Sequence, residues 1–257
     1  MPIDIFFCHG MVDRMNRILL VCACVLGTIF SAVADDYQII HFKGKVSILR
    51  NGQILPAAKN FKLNLKDRIR TSADSLAVVK SPKLTLKVVE NSEVSISDLG
   101  KEIVVDVNQG GLVANYLKQK IKDTVGTKLR VNTQHTSMGV RGTTFFVYNH
   151  KEQTSYLTVK EGSVEFKGKS SKTIETVSDN KTAFTNSDLQ NTAPKKVGFE
   201  EDINWELKNF QGNLSQPKRL FSKMEEQWNN FKKENEKKWN DNNQDMNNQW
   251  DKVKDQL

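Results

Sequence analysis

The residues able to do chemistry in this 257-residue chain are few and scattered. Ser137 lies two residues from His135, but a serine nucleophile needs an oriented acid behind its base and a strained turn beneath it, and neither accompanies the pair. Asp67 and Glu161 are the carboxylates one would test as a hydrolytic pair, yet the sequence supplies neither a fixed separation nor a cleft. His41, His135 and His150 lack metal-ligand spacing. The three cysteines, Cys8, Cys22 and Cys24, all fall at or before an apolar leader, so thiolate chemistry and disulfides are not expected beyond it. The chain therefore reads as non-enzymatic, without metal or cofactor.

One charged residue stands out for its setting: Arg141, between Val140 and Gly142. It can contact an anionic ligand or partner. Alternatively its planar fork can tie backbone carbonyls or a carboxylate, Glu161 or Asp67, across a turn. The second reading is favoured, because a buried guanidinium left unpaired costs several kcal/mol.

The elements that must position these residues have the period of strands. Across 131–166, Leu129 and Val131, Phe145 and Val147, Leu157 and Val159, and Val164 and Phe166 sit two apart, with Gly139, Gly142 and Gly162 at the breaks. Upstream, strands are expected over 38–42, 45–50, 53–56, 75–80, 84–89, 94–97 and 103–107, with Asn51-Gly52 as a hairpin turn, and 63–71 is expected to bring a turn at Lys66-Asp67 and another short strand. Leu112 to Ile121 suits either a strand or a short helix. Weak strand patterns at 173–177 and 182–185 precede a stretch, 191–198, that reads as a linker around Pro194. Short strands with frequent turns predict a mainly β fold, a compact all-β domain over 35–190 of sandwich or solenoid type.

Beyond the linker the period changes. Ile203, Leu207, Phe210 and Leu214 are spaced 4, 3 and 4, one stripe of an amphipathic helix that Pro217 interrupts. A second helix then carries three repeats of 11 residues, EEQWNNFKKEN, EKKWNDNNQDM and NNQWDKVKDQL, with Trp228, Trp239 and Trp250 in the same place in each. Eleven residues in three turns keep a stripe nearly straight. The stripe holds Trp228, Phe231, Trp239, Met246, Trp250 and Val253, broken by Asn235 and Asn242. Asparagine and like-charged i,i+4 pairs (Asp241 with Asp245, Asp251 with Asp255) weaken a lone helix, so the tail 199–257 is expected to dock on a partner or self-associate.

The amino terminus has the form of a secretory leader: Arg17, an apolar run from Ile18 to Phe30, and Ala32-Val33-Ala34 as the small-residue site. Residues 1–34 are read as this signal peptide, with Met11 or Met15 as the functional start, and membrane contact is expected only through it. Export to the periplasm or medium follows. The net charge of +8 is uneven: 35–198 holds 26 basic and 16 acidic side chains, whereas 199–257 holds 10 and 12. The lysines are spread over many strands without an aromatic stripe, which argues against nucleic acid.

The run VNTQHTSMGVRGTTFFV, followed by LTVKEGSVEF, resembles the FecR domain of bacterial envelope proteins, whose pattern is V-x-T-P-x-A-x-A-G-V-R-G-T-x-F and then V-x-E-G-x-V. Val140, Arg141, Gly142, Thr143 and Phe145 match the first element; Glu161, Gly162 and Val164 match the second. Asp67, Ile69, Thr71 and Ser75 match an upstream G-D-x-I-x-T-G-x-x-S pattern. Gln134 replaces the usual proline, and Lys66 and Ser72 replace usual glycines. The resemblance, over roughly 38–184, implies a compact all-β domain for protein contacts and envelope signalling without catalysis. The cytoplasmic anti-sigma segment of the iron-type regulators has no counterpart here, so their transcriptional role is not expected.

Together these readings give two expectations. One is an envelope binding and scaffolding protein that recognises a protein or glycan through its β domain and assembles as a homo-oligomer through its helical tail. The other is a wall- or surface-associated structural protein held to an anionic polymer by its basic face.

Overall fold

The long strand Glu102–Tyr116 (β9) organises the chain, because its two halves belong to two different sheets. The computed structural model describes residues 36–99, 102–117, 128–149, 154–185, 190–207 and 215–254. The expected leader lies outside them. Before β9 come Tyr37–Lys43 (β1), Val46–Arg50 (β2), Gln53–Pro56 (β3), Phe61–Leu63 (β4), Arg68–Thr71 (β5), Leu76–Lys80 (β6), Leu84–Val88 (β7) and Glu93–Asp98 (β8). After it come Lys128–Thr133 (β10), Thr136–Val140 (β11), Thr144–Asn149 (β12), Ser155–Glu161 (β13), Ser163–Gly168 (β14), Glu175–Ser178 (β15) and Lys181–Phe184 (β16). One helix, Ser215–Lys254 (α1), follows.

The first sheet runs β4-β1-β6-β7-β9-β12-β13-β16 and uses the C-terminal half of β9. The second runs β3-β2-β5-β8-β9-β10-β11-β14-β15 and uses its N-terminal half. Only β9 and β10 pair in parallel among these described strands. The fold is thus a two-sheet sandwich with a strand common to both layers. The change of sheet within β9 occurs at Gly110, whose φ of +67° is disfavoured for other residues. A Cβ there would overlap the hydroxyl of Ser92, which accepts the Gly111 N–H at 2.9 Å.

Alternation along the strands fills the space between the sheets. Ile39, Val79, Leu86, Leu112, Val147 and Leu157 point in from one side, and Ile48, Ile69, Val94, Val105, Val131 and Phe166 from the other. Burying one such side chain contributes about 1.5–3 kcal/mol relative to leaving it in water. Asn51 and Gly52 adopt φ of 49° and 81°, the paired positive values of the hairpin turn that their sequence predicts.

One reading left open is decided, and others are corrected. The segment Leu112 to Ile121 is strand as far as Tyr116, not helix, and its later residues lie outside the description. It does not alternate because both of its faces are covered: Leu112 and Ala114 face the inter-sheet core, and Val113 faces a second apolar cluster on the outside. The stretch 191–198 is not a free linker. Lys195 and Thr182 exchange backbone hydrogen bonds of 2.9 and 2.8 Å, and the Asn191 side chain caps β14 by accepting the Gly168 N–H at 2.6 Å.

The helix expected from Ile203 is also absent from 203–207. A 3-10 turn, Glu200–Asp202, gives way to an extended Ile203. Local hydrogen bonds outcompete a helix there: Glu200 accepts the N–H groups of Val197 (2.8 Å) and Gly198 (2.7 Å), and Trp205 Nε1 donates to the Glu200 carbonyl at 3.1 Å. Phe210 and Leu214 lie outside the described residues. The second helix does follow: α1 starts at Ser215, and Pro217 sits in its first turn, where its missing N–H has no helical partner to lose. The 40 residues of α1 extend about 60 Å.

Candidate interaction site: a braced corner and a projecting helix

The corner between β11 and β12 brings two distant parts of the sequence together. Val140 and Phe145 are anchored in the core on either side, and Thr143 is buried between them. Thr143 exchanges backbone hydrogen bonds with Tyr116 (3.1 and 3.0 Å) and donates its hydroxyl to the Ser163 carbonyl at 3.0 Å. Gly162, at φ +98°, lies so close that a Cβ would meet Gly142 O at 2.8 Å and the Thr143 hydroxyl at 3.0 Å. Its N–H is held by Asp179 at 2.6 Å. The V-R-G-T and E-G-x-V elements are therefore two sides of one packed corner.

Arg141 is exposed on this corner and makes no hydrogen bond or ion pair with another described residue. The expectation that it braces the turn through Asp67 or Glu161 is overturned. Asp67 is paired instead with Arg50, away from this corner at the β2–β5 end, a residue that sequence reasoning passed over. Its Nη2 lies 2.6 Å and its Nε 3.0 Å from the Asp67 carboxylate, and Nη2 also donates to Lys62 O at 3.0 Å. The guanidinium lies 5.2 Å from the Phe61 ring centroid. Asp67 is 5% exposed and also accepts the Asn64 N–H at 2.8 Å, so the buried charge is paired and hydrogen-bonded. The carboxylate bond is the largest influence raising the Arg50 pKa further. Arg50 ends β2 and Asp67 precedes β5, and the antiparallel pairing of these two non-consecutive strands sets them opposite each other, an approach that no local sequence signal gives.

The remaining singled-out residues do not converge on a catalytic site. Glu161 is exposed at the end of β13 in the first sheet, whereas Asp67 is buried beside β5 in the second and holds Arg50. Ser137 donates to Asn132 Oδ1 at 3.0 Å rather than to an imidazole. His41 and His135 are partly buried, and burial, with Lys59 and Lys169 respectively adding to it, lowers their pKa values. His150 lies outside the described residues. Among those described, no three His, Cys, Asp or Glu side chains are grouped to hold a metal ion.

The motif residues instead close turns. The Thr133 hydroxyl accepts the N–H groups of His135 and Thr136, each at 3.0 Å, and contacts the Ser155 hydroxyl at 2.7 Å. Thr71 donates to Val89 O at 2.5 Å and accepts the Ser92 N–H at 3.0 Å. Ser75 accepts the Lys45 N–H at 2.8 Å.

A third layer covers the outer face of the first sheet. Val113, Phe146, Tyr156 and Phe184 project from β9, β12, β13 and β16, and Phe199, Ile203, Leu220 and Met224 pack on them. Tyr156 donates its hydroxyl to Met224 O at 3.2 Å, and Phe231 meets Phe184 edge-on at 5.1 Å. Lys87, 6% exposed on β7, puts its ammonium on two carbonyls of this covering segment, Asn204 O at 2.5 Å and Glu206 O at 2.9 Å. Desolvation lowers its pKa to about 8, with the Glu206 carboxylate pulling the other way. Lys223 and Asp202 form an ion pair that ties α1 to the 3-10 turn.

The helix then leaves the sheet. Phe231 is the last stripe residue packed on the cluster; Trp239 and Met246 are 68% and 62% exposed. The side chains of Trp228, Trp250 and Val253 lie outside the description. No described helix is long and apolar enough to cross a membrane, which says nothing of strands.

Residues 67–165 match the family model described as FecR protein. This stretch is a FecR domain. The FecR domain thus opens on the braced Asp67 and closes in β14, with β9 through its middle, while β1 to β4 and β15, β16 complete its two sheets. Two crystal structures, at 2.50 and 1.65 Å, of a protein provisionally described as an anti-sigma factor from Parabacteroides distasonis are each similar at 16% identity and a TM-score of 0.43. Each match covers 50% of this chain and 59% of the other, so it spans well under two thirds of that protein. No curated protein matches the chain. The usual FecR glycine replaced by Lys66 falls at a φ of +71°, whereas Ser72 has no positive φ; only the first departure carries a backbone cost.

Proposed function

We propose that the protein is a non-catalytic, exported component of the bacterial cell envelope, in which the FecR domain recognises a protein or glycan and α1 assembles copies of the chain. The observation that carries the assembly reading is the change in α1 at Phe231. Upstream, its apolar stripe is docked; downstream, the same stripe continues with Trp239 and Met246 uncovered. A helix rich in asparagine gains little from its own propensity, so extending it without a cover is unfavourable unless something packs on that stripe. Size-exclusion chromatography with light scattering tests this. The wild-type chain is expected to self-associate at micromolar concentration, and a Trp239→Ala, Met246→Ala double variant to dissociate at least tenfold more readily with an unchanged β-sheet spectrum. A wild-type chain that stays monomeric to 100 µM, about the upper range of such an assay, overturns the assembly reading.

A second reading rests on Arg141 and the basic excess of 35–198: the domain lies against an anionic envelope polymer. Cosedimentation with purified peptidoglycan at low and high salt separates the two. Salt-sensitive binding that Arg141→Ala weakens favours the polymer, because exposed charge contacts are screened by salt.

A further inference from the structure

We infer that a linear glycan carrying carboxylate groups lies across the strands of the first sheet, on a row of outward polar side chains that runs from β4 to β13 beside the covering segment. This rests on the recognition reading above and chooses the glycan, the face and the residues.

The register of the sheet builds the row. Gln38 of β1 stands between Lys62 of β4 and Lys80 of β6. Lys80 is opposite Thr85 of β7, and Thr85 is opposite Asn115 of β9. Asn115 is opposite Thr144 of β12, which meets Glu161 of β13. Their strand neighbours Ile39, Val79, Leu86, Ala114 and Phe145 point into the inter-sheet core, so alternation turns the row outward. Every member is half-buried or exposed. Seven strands make six spacings, a strip of about 29 Å.

Two residues further along the same strands the face is closed. Lys87 holds the carbonyls of Asn204 and Glu206, and Val113 and Phe146 lie in the apolar cluster that Ile203 covers. The covering segment is therefore a ledge along one side of the strip. Trp205 sits in that ledge, half-buried, with its indole N–H on the Glu200 carbonyl and Lys160 Nζ 5.8 Å from its ring centroid.

The chemistry of the strip selects the ligand. It carries no large apolar side chain, so it lacks the anchor on which protein interfaces are built. Gln38, Thr85, Asn115 and Thr144 are neutral groups that both donate and accept, which suits the hydroxyl and amide groups of a sugar chain. Asn115 Nδ2 donates to the Thr144 hydroxyl at 2.8 Å, which leaves that hydroxyl's own proton for a ligand oxygen. Charge complementarity adds the carboxylates. Lys80 makes no ion pair with a described residue, and Lys160 stands at the far end of the strip. The acidic groups beside them are Glu161, at that end, and Asp36, which Lys62 holds at 3.2 Å.

Titration calorimetry of the full chain with separate probes tests this. The probes are peptide-free glycan strands of peptidoglycan, whose muramic acid carries carboxylates; chitin oligosaccharides, which have the same backbone without them; and polyglutamate, which has the charge without the sugar. Wild type is expected to bind the strands at least roughly tenfold more tightly than either other probe, the difference that one or two charged hydrogen bonds make. The Gln38→Ala, Thr85→Ala double variant is expected to weaken strand binding roughly tenfold with an unchanged melting temperature, and Lys80→Ala to bring the strands close to the chitin value. Arg141→Ala, away from the strip, should alter none of these. Strand binding that the Gln38, Thr85 and Lys80 variants leave intact overturns the strip while leaving glycan recognition standing. Polyglutamate bound as tightly as the strands, or strand binding lost in Arg141→Ala, overturns it in favour of simple polyanion contact. Binding of no probe overturns the strip and leaves a protein as the recognised partner.

Discussion

The Nζ of Lys87 lies 2.5 Å from the carbonyl oxygen of Asn204, so a strand of the FecR domain and the segment that covers it are joined through a buried cation on neutral acceptors. Burial of that ammonium disfavours its charged form, and the two carbonyls recover part of the loss.

This contact makes stability depend on pH in a definite direction. The folded-state pKa of about 8 lies below the ordinary lysine value of 10.5, so between those values the unfolded chain holds more protons than the folded one. Stability contributed by this group is lowest below pH 8, rises through the window and levels off above 10.5. Urea unfolding of wild type and Lys87→Met at pH 7.5 and 10.5 should show wild type gaining on the order of 2–3 kcal/mol over the variant between the two. Parallel pH responses of the two proteins would show that the lysine is solvated.

The two arginines should part company. Asp67→Ala leaves Arg50 and the Asn64 N–H without their buried acceptor and should cost roughly 2–4 kcal/mol. Arg141→Ala should stay within about 0.5 kcal/mol, because an exposed side chain with no described partner has little to lose. Denaturant midpoints compare the two directly. A large loss at Arg141 would restore the brace to that residue.

Gly162→Ala should destabilise by roughly 2–4 kcal/mol, since the added methyl meets Gly142 O at 2.8 Å in a backbone already at φ +98°. Gly52→Ala, also at positive φ but with nothing within 4 Å, isolates the conformational part and should cost only about 1 kcal/mol. Equal melting temperatures for these two variants would mean that the corner relaxes freely.

Lys66→Gly should stabilise the domain by about 0.5–1 kcal/mol. The φ of +71° at Lys66 strains a residue with a Cβ, and relief of that strain is partly offset by glycine's larger unfolded-state entropy. Ser72→Gly, with no positive φ to relieve, should not stabilise; its thermal midpoint is the control.

Strand positions were legible in the sequence wherever one face meets the core and the other meets water, as along Val131, Met138 and Phe166. They were ambiguous at Leu112 to Tyr116, where the covering segment hides the second face and erases the alternation. The motif that singled out Arg141 located the right corner. Its neighbours Gly142, Thr143 and Gly162 carry the packing, while the arginine points outward, and nothing local in a sequence distinguishes those roles. Arg50 and Lys87 were missed because their partners, Asp67 and the carbonyls of Asn204 and Glu206, are set by tertiary approach. The early helix failed because Glu200 offers the backbone a competing set of hydrogen bonds that a 4-3-4 spacing does not reveal.

The central claim is that α1 has a docked part ending at Phe231 and a free part built for association. Amide hydrogen exchange across 215–254, followed from low to high micromolar protein, reads both at once. The account predicts protection of 220–231 at every concentration and protection of 233–250 that rises at least tenfold with concentration. Fast exchange over 233–250 that is independent of concentration, or equal protection of both parts in the dilute chain, would contradict it.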